Sequence, residues 1–388
     1  MFTSECEIIV CTILSIIWYQ TKHDNVKKLC VIGAVISILI LFVRQKNNVL
    51  KLHRINTDGI NEVLILETNL NNIYSLFLLD TGYAGPPVLS RSYLAVNKNK
   101  YFSNIAHTYN YLLQNMSTVT EDDEHKAINN YINKSGCLPF TSGCTMRLMG
   151  IGSVQEQQAD MLMCPMLKIK NELGIMSSPK KATQTYADVF VTNSLKSSIH
   201  IMTCDFLMHH SPCLIEIEHQ KLQLSIPTAN YLLMYQHFDR YPAKFSGGSF
   251  MIEIKINDIG FKLTVDTGSP GPIAIGSNAS KKIKKCVARK RKTLKQKGVN
   301  GEVVCSDIVE VDVEFGKKTY KAPIFINNLP TDFVDGYVGL GFLRGFDILI
   351  SGQEIGFRRN NLHFHTFEHY ENIAEDGTCN TDLECLKS

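Results

Sequence analysis

From residue 62 onward the chain consists of short apolar runs separated by turns rich in Asn, Gly and Pro, a pattern typical of β-strands. One arrangement occurs twice: an apolar run, a short turn and a second apolar run. These segments are 63–66, 69–72 and 73–79 in the first copy, and 250–256, 257–260 and 261–265 in the second. Because two strand-type runs around a short turn favour antiparallel pairing, each copy predicts a β-hairpin.

Both predicted hairpins end in the same tripeptide, Asp-Thr-Gly. It occupies Asp80, Thr81 and Gly82 in the first copy and Asp266, Thr267 and Gly268 in the second. Each copy later reaches an apolar segment ending in Phe-Leu, which lies 126 residues after the first aspartate but only 76 residues after the second. The first copy therefore carries an insertion of about 50 residues, which we place between Ser92 and Cys137 and predict to be partly helical.

The repeat predicts a mainly β protein with two pseudo-symmetric lobes. A segment rich in Tyr, Pro, Ser and Gly between the copies is typical of a connection. The predicted organisation is an N-terminal membrane anchor at 1–48, a first lobe at 49–228, a linker at 229–248, a second lobe at 249–370 and a flexible tail at 371–388.

The anchor is predicted from two uncharged apolar segments, 8–21 and 29–43. Each is slightly shorter than the roughly 17 to 25 residues that span a bilayer, but flanking Lys and Arg side chains extend the reach of such segments. A buried core helix and a cleaved signal peptide are the alternatives, and Glu5 and Glu7 argue against the signal peptide. We therefore expect a membrane protein, with one or two crossings left open.

The formal net charge is only +3, but the positive charge is concentrated in one segment. Ten of the 40 basic residues lie within 281–297, a run that contains no acidic residue, and the rest of the chain has 30 basic against 37 acidic side chains. This run predicts either a solvated surface segment or a binding site for a polyanion. No aromatic residue is interleaved for base stacking, which favours the solvated segment.

Two aspartates at the ends of apolar strands predict acid–base chemistry. Desolvation raises the pKa of a carboxyl group, and two carboxylates a few Å apart cannot both ionise. If the lobes pack about a pseudo-twofold axis, Asp80 and Asp266 share one proton. One carboxylate then accepts a proton from water while the protonated carboxyl polarises a carbonyl group.

With these motifs, the chain resembles aspartic proteases of the pepsin and retropepsin group, from residue 62 to about 367. Asp80-Thr81-Gly82 and Asp266-Thr267-Gly268-Ser269 match the active-site motif of that group, and Val338-Gly339 matches the apolar element that supports the catalytic loop. The segment 147–154 is similar to its flap hairpin, with Met149, Gly150, Ile151, Gly152 and Ser153 at the tip. The resemblance implies two acid-protease-type barrel lobes, a catalytic dyad of Asp80 and Asp266, and no cofactor or metal. Both aspartates lie in one chain, so no dimer is required.

Three positions depart from the family pattern: Tyr83 after the first motif, Thr203 where a glycine is expected, and Met149 where pepsin-like flaps carry a tyrosine. None of them removes a catalytic carboxylate. The sequence therefore predicts a membrane-anchored aspartic endopeptidase that takes an extended peptide between its lobes. The alternative is a catalytically inactive membrane protein on the same scaffold that binds a peptide or partner.

Histidines near the end of the chain have spacing that a metal site would also show. These are His363, His365 and His369, and the first two alternate with the apolar residues Leu362 and Phe364. We interpret this as a terminal core strand whose histidines face solvent, and we predict no metal site.

Overall fold

The computed structural model is mainly β and describes fourteen parts of the chain. These are residues 49–56, 62–70, 73–83, 85, 87–90, 138–150, 153–169, 183–192, 199–246, 249–283, 291–297, 303–327, 335–352 and 354–376. The predicted anchor at 1–48 and the predicted insertion between Ser92 and Cys137 lie outside these residues. Within the described part, no helix is long and apolar enough to cross a membrane.

The strands of the first half precede and follow the first Asp-Thr-Gly motif. They are β1 (Val49–Asn56), β2 (Glu62–Leu70), β3 (Ile73–Asp80), β4 (Val88–Ser90), β5 (Leu138–Gly150), β6 (Ser153–Ile169), β7 (Thr183–Thr192), β8 (Ile199–Thr203), β9 (Cys213–Glu216) and β10 (Lys221–Gln223). Two helices belong to this half and to the following connection: α1 (Cys204–His209) and α2 (Thr228–Tyr235).

The strands of the second half begin within the predicted linker. They are β11 (Asp239–Pro242), β12 (Lys244–Ser246), β13 (Ser249–Ile256), β14 (Ile259–Asp266), β15 (Ile273–Gly276), β16 (Arg291–Lys297), β17 (Val303–Phe315), β18 (Lys318–Asn327), β19 (Gly336–Gly339), β20 (Phe346–Ser351) and β21 (Glu354–Arg359). The helices are α3 (Ser277–Ile283), α4 (Leu340–Leu343) and α5 (Phe367–Asp376).

The strand order repeats between the two halves. The first half contains β2-β3-β8-β4-β7-β6-β5, and the second contains β13-β14-β19-β15-β18-β17-β16. In both, the hairpin strand that carries the aspartate pairs in parallel with a later strand, so that Asp80 lies opposite Thr203 and Asp266 lies opposite Gly339. The internal duplication thus extends from the motif to the whole sheet.

A shared sheet joins the halves. Its strand order is β11-β21-β20-β9-β10-β1, and the central contact is antiparallel pairing of β9 with β20, for example Leu214 with Leu349. Strands β1, β9 and β10 come from the first half, and β20 and β21 from the second. Because this pairing uses backbone hydrogen bonds across the boundary, the halves are held in one orientation.

The core forms because apolar residues alternate along the strands. In β13, Phe250, Ile252, Ile254 and Ile256 are buried while Glu253 and Lys255 are exposed. Full burial of each such apolar side chain contributes roughly 1.5 to 3 kcal/mol. The apolar residues of β13 join one cluster with those of β3 and β14, so the strands leading to both aspartates share a core.

A buried carboxylate links the halves a second time. Glu62 of β2 forms ion pairs with Arg54 of β1 at 3.1 Å and with Arg344, which follows α4, at 2.8 Å. Arg344 also contacts the ring of His365, and that ring lies 3.2 Å from the hydroxyl of Tyr370. The network therefore runs from the first half to the C-terminal helix.

The C-terminal region differs from the sequence prediction in two respects. Residues 360–366 lie outside the strands, and His365 is buried rather than solvent-facing, because burial beside Arg344 and Tyr370 satisfies its ring nitrogens. Helix α5 continues to Asp376, six residues into the predicted flexible tail. The helix is stabilised by Phe367 and Tyr370, since both are buried against Leu294 and Ile308.

Candidate active site

Strands β3 and β14 bring the two Asp-Thr-Gly motifs together where the halves meet. Thr81 and Thr267 are fully buried, and each forms hydrogen bonds to the backbone of the opposite half. Each hydroxyl donates to a carbonyl oxygen of the opposite strand, Thr81 to Val265 at 2.8 Å and Thr267 to Leu79 at 2.6 Å. Each hydroxyl also accepts from the backbone N–H of the other threonine, at 3.0 and 3.1 Å. Four buried hydrogen bonds therefore fix the spacing of the two loops.

The backbone holds the two carboxyl groups in equivalent ways. Oδ1 of Asp80 accepts from the N–H groups of Gly82 and Tyr83, both at 2.9 Å. Oδ1 of Asp266 accepts from Gly268 at 2.9 Å and from Ser269 at 3.0 Å. Each aspartate is thus held in one orientation by the turn that follows it.

Glycine is required in both motifs by the opposite aspartate. A Cβ atom on Gly82 would lie 2.5 Å from Cγ of Asp266, and one on Gly268 would lie 2.4 Å from Cγ of Asp80. Both distances are far below van der Waals contact. The motif therefore leaves room for its partner across the interface, a role that the sequence alone does not indicate.

Burial perturbs both carboxyl groups, and the neighbouring charge of Asp80 adds to the effect at Asp266. Burial raises the pKa of Asp80, against the lowering effect of the N–H groups of Tyr83 and Gly82. Burial and the neighbouring charge of Asp80 raise the pKa of Asp266 well above its ordinary value. The two side chains hydrogen-bond to each other. The arrangement favours a single proton shared by the pair, because two buried carboxylates in contact cannot both ionise.

Two further polar residues lie beside the dyad, and the sequence analysis did not find them. Asp205 of α1 accepts a hydrogen bond from the backbone N–H of Gly85, in the loop that follows the first motif. Tyr337 of β19 lies by Ser269, and burial together with the charge of Asp266 raises its pKa. The strand repeat gives no signal for either residue, because by register Asp205 corresponds to Gly341 and Tyr337 corresponds to Ile201.

Thr203 occupies the same register position as Gly339, as the sequence comparison of the copies predicts. The second half needs glycine there, because a Cβ on Gly339 would lie 2.3 Å from the carbonyl oxygen of Gly271. In the first half, the corresponding loop accepts the buried threonine side chain, and the N–H of Cys204 still donates to the carbonyl of Tyr83. The substitution is therefore compatible with the support of the first loop.

The predicted flap segment forms the end of a hairpin. Strands β5 and β6 pair with Met149 opposite Val154 and Gly150 opposite Ser153. Ile151 and Gly152, at the tip, lie outside the described residues. The basic run falls on α3 and β16, and β16 pairs with β17 in the hairpin that corresponds to β5 and β6 by strand order. Lys282 of α3 forms an ion pair with Asp335 at 3.3 Å.

The raised pKa of Asp266 predicts a pH-dependent cost in stability. Because the native state binds this proton more tightly than the unfolded state does, stability falls as pH rises from the ordinary carboxyl pKa of 3.8 through the raised one, and it stays lower above that. An Asp266→Asn variant, which cannot ionise there, is expected to lose less stability over this range. Urea unfolding of both proteins between about pH 4 and about pH 8 measures the difference. Parallel pH profiles would contradict a raised pKa at Asp266.

Comparison with known proteins gives remote structural similarities. No family model matches the sequence, and no curated protein matches it. A solved basic 7S globulin from soybean is similar at 8 % identity and a TM-score of 0.45, covering 82 % of this chain and 96 % of the globulin. An aspartic proteinase from Irpex lacteus is similar at 12 % identity and a TM-score of 0.38, covering 81 % and 98 %. A retropepsin-like aspartic protease from Rickettsia conorii shares 18 % identity at a TM-score of 0.23, covering 30 % and 87 %.

Proposed function

We propose that the protein is an aspartic endopeptidase. The observation that carries the proposal is the reciprocal geometry of the dyad: two carboxyl groups in hydrogen-bonding contact, each held by two backbone N–H groups, on loops fixed by four threonine hydrogen bonds. Such a pair positions one base and one acid on the same water molecule, which is what amide hydrolysis requires.

In the proposed reaction the two carboxyl groups have different roles. The ionised carboxylate, Asp80 in one of two equivalent arrangements, accepts a proton from water as the water oxygen bonds to the carbonyl carbon. The protonated carboxyl, Asp266 in that arrangement, donates a hydrogen bond to the carbonyl oxygen and stabilises its developing charge. The proton on Asp80 then passes to the amide nitrogen as the C–N bond breaks, giving a carboxylic acid and an amine.

The proposed substrate is an extended peptide between the halves, under the hairpin of β5 and β6. An extended chain presents backbone N–H and C=O groups to strand edges, so recognition does not need a deep side-chain pocket. Met149 near the tip offers an apolar, adaptable contact in place of a hydroxyl. Closure of residues 149–153 over the peptide would exclude water from the dyad.

The hairpin proposal predicts the behaviour of a Gly150→Pro variant. Proline fixes φ and removes the N–H at the position that pairs with Ser153, so the tip is expected to close poorly. We expect kcat/KM on a cleaved peptide to fall about tenfold, the effect of about 1.4 kcal/mol on the barrier. A Gly150→Ala variant, which keeps the N–H, is the matched control. Equal activity of the proline variant and the unmutated protein would exclude this hairpin as the flap.

A peptide library tests the reaction itself. The full chain in detergent, incubated with the library at several pH values, is expected to cleave internal peptide bonds, and the Asp80→Asn and Asp266→Asn variants are expected not to. Retention of peptides by the unmutated protein without any cleavage would instead support the inactive binding protein, which Tyr83, Thr203 and Met149 favour as departures from the family pattern.

Two further parts of the proposal rest on sequence. We propose that segments 8–21 and 29–43 attach the protein to a membrane, because both are uncharged and strongly apolar. A polyanion at 281–297 stays a prediction; its basic residues belong partly to α3 and β16 of the second half.

A further inference from the structure

Helix α2 carries an exposed apolar pair. Leu232 is 61 % exposed and Leu233 is 68 % exposed, and in the part of the chain that the structure describes these are the exposed large apolar side chains. Single exposed leucines are common, but two adjacent ones on one short helix form a patch that favours an apolar contact.

The opposite side of α2 is fixed to the shared sheet. Tyr231, Met234 and Tyr235 pack on an apolar cluster of Leu214, Ile226, Phe238 and Leu349. These three residues have the i, i+3, i+4 spacing of one helix face, so Leu232 and Leu233 turn away from the sheet. The exposed pair is therefore held rigidly on the outer side of the molecule.

The chain enters the described structure on the same face of the sheet. Val49 lies opposite Gln223, Gln223 opposite Leu214, and Leu214 opposite Leu349. Directly paired residues point to one face of a sheet, so Val49 faces the side that α2 covers. With strands about 4.8 Å apart, Val49 lies roughly 10 Å from Leu214.

The distance from Val49 to the predicted anchor is short. The second apolar segment ends at residue 43, which leaves residues 44–48 before β1. The six residue steps from residue 43 to Val49 span at most about 20 Å when fully extended. If residue 43 ends in the bilayer, the membrane lies within that distance of Val49, so the outer face of the shared sheet with α2 is within its reach.

The adjacent row of the same strands faces the other way, toward the dyad. Leu50, Leu222, Ile215 and Ile348 are paired with one another and buried in the core cluster that includes Leu79 and Val265, the residues preceding the two motifs. The face that carries α2 and the face directed to Asp80 and Asp266 are thus opposite sides of the shared sheet.

We infer that Leu232 and Leu233 insert into the lipid interface of the membrane that holds the anchor, so that α2 seats the protein on the bilayer with its dyad directed away from the lipid. The inference rests on the predicted anchor and not on the proposed catalysis. Combined with the proposed endopeptidase function, it predicts that the accessible substrate is polypeptide standing clear of the membrane surface and not segments within the bilayer.

Photo-crosslinking of the full chain in vesicles tests the orientation. A benzophenone amino acid replaces Leu233 in an Asp266→Asn background, which prevents self-cleavage, and the protein is reconstituted into phosphatidylcholine vesicles, whose lack of net charge does not attract the basic run 281–297. Thr293, exposed on the sheet-edge strand β16, is the matched control position. We expect lipid adducts at position 233 that are at least several-fold more abundant than at position 293.

Because benzophenone is itself apolar, a second probe position separates the leucines from the label. The probe at exposed Gln236 is compared with and without Leu232→Ser and Leu233→Ser, and the double substitution is expected to reduce its lipid adducts several-fold. The inference would be overturned if lipid adducts were no more abundant at position 233 than at position 293, or if position 233 crosslinked to segment 8–43 or to a second copy. It would also be overturned if the Gln236 signal did not change, or if the chain failed to float with vesicles. None of these readouts depends on proteolytic activity.

Discussion

An Asp266→Asn variant is expected to lose proteolytic activity while keeping its fold. The amide has the shape of the carboxyl group and can still accept from the N–H groups of Gly268 and Ser269. It cannot carry the shared proton, so the hydrogen bond to the substrate carbonyl and the acid–base cycle are lost. Removing a general acid or base typically lowers the rate about 10²- to 10⁴-fold, and we expect a fall in kcat/KM of that size.

Asp80→Asn is expected to give a similar loss, and the double variant little more than either single one, because the two groups act as a unit. Asp258→Asn is the matched control, since Asp258 lies exposed in the turn between β13 and β14, away from the dyad. Circular dichroism checks that each fold is intact. Full activity in either dyad variant would refute the catalytic assignment.

A Thr267→Val variant is expected to be strongly destabilised. Valine matches the shape of threonine but leaves two buried backbone groups without partners, the carbonyl of Leu79 and the N–H of Thr81. An unsatisfied buried group costs about 1 to 3 kcal/mol, so the free energy of unfolding is expected to fall by about 2 to 6 kcal/mol. Urea denaturation, monitored by far-UV circular dichroism, measures the change.

Thr267→Ser supplies the control for this substitution, because serine keeps the hydroxyl and both hydrogen bonds. We expect it to stay much closer to the unmutated protein in stability and to retain turnover. Equal stability of the valine and serine variants would show that the reciprocal threonine bonds do not fix the two loops.

The sequence by itself determined the local features. The two hairpins, the aspartates at their ends and the duplication follow from apolar runs and turn residues, which act over a few positions. The match between Thr203 and Gly339 also follows from sequence, since the order of segments after each motif is the same. These features are readable because neighbouring residues alone specify them.

Contacts between residues distant in sequence determined the pairing of the halves and the surroundings of the two motifs. Leu214 and Leu349 pair across the shared sheet although 135 positions separate them, and no local pattern encodes that register. The need for glycine at 82 and 268 arises from the aspartate of the other half. Asp205 of α1 and Tyr337 of β19 come near the two motifs only in the folded chain.

The C-terminal helix shows the same division. Its sequence after Tyr370 is polar enough to predict a flexible tail, and no local pattern indicates what its two buried aromatic residues, Phe367 and Tyr370, pack against. Packing against Leu294 and Ile308 provides those partners and stabilises the helix through Asp376. A helix of this length is marginal alone in water, so the apolar surface of β16 and β17 determines that it forms.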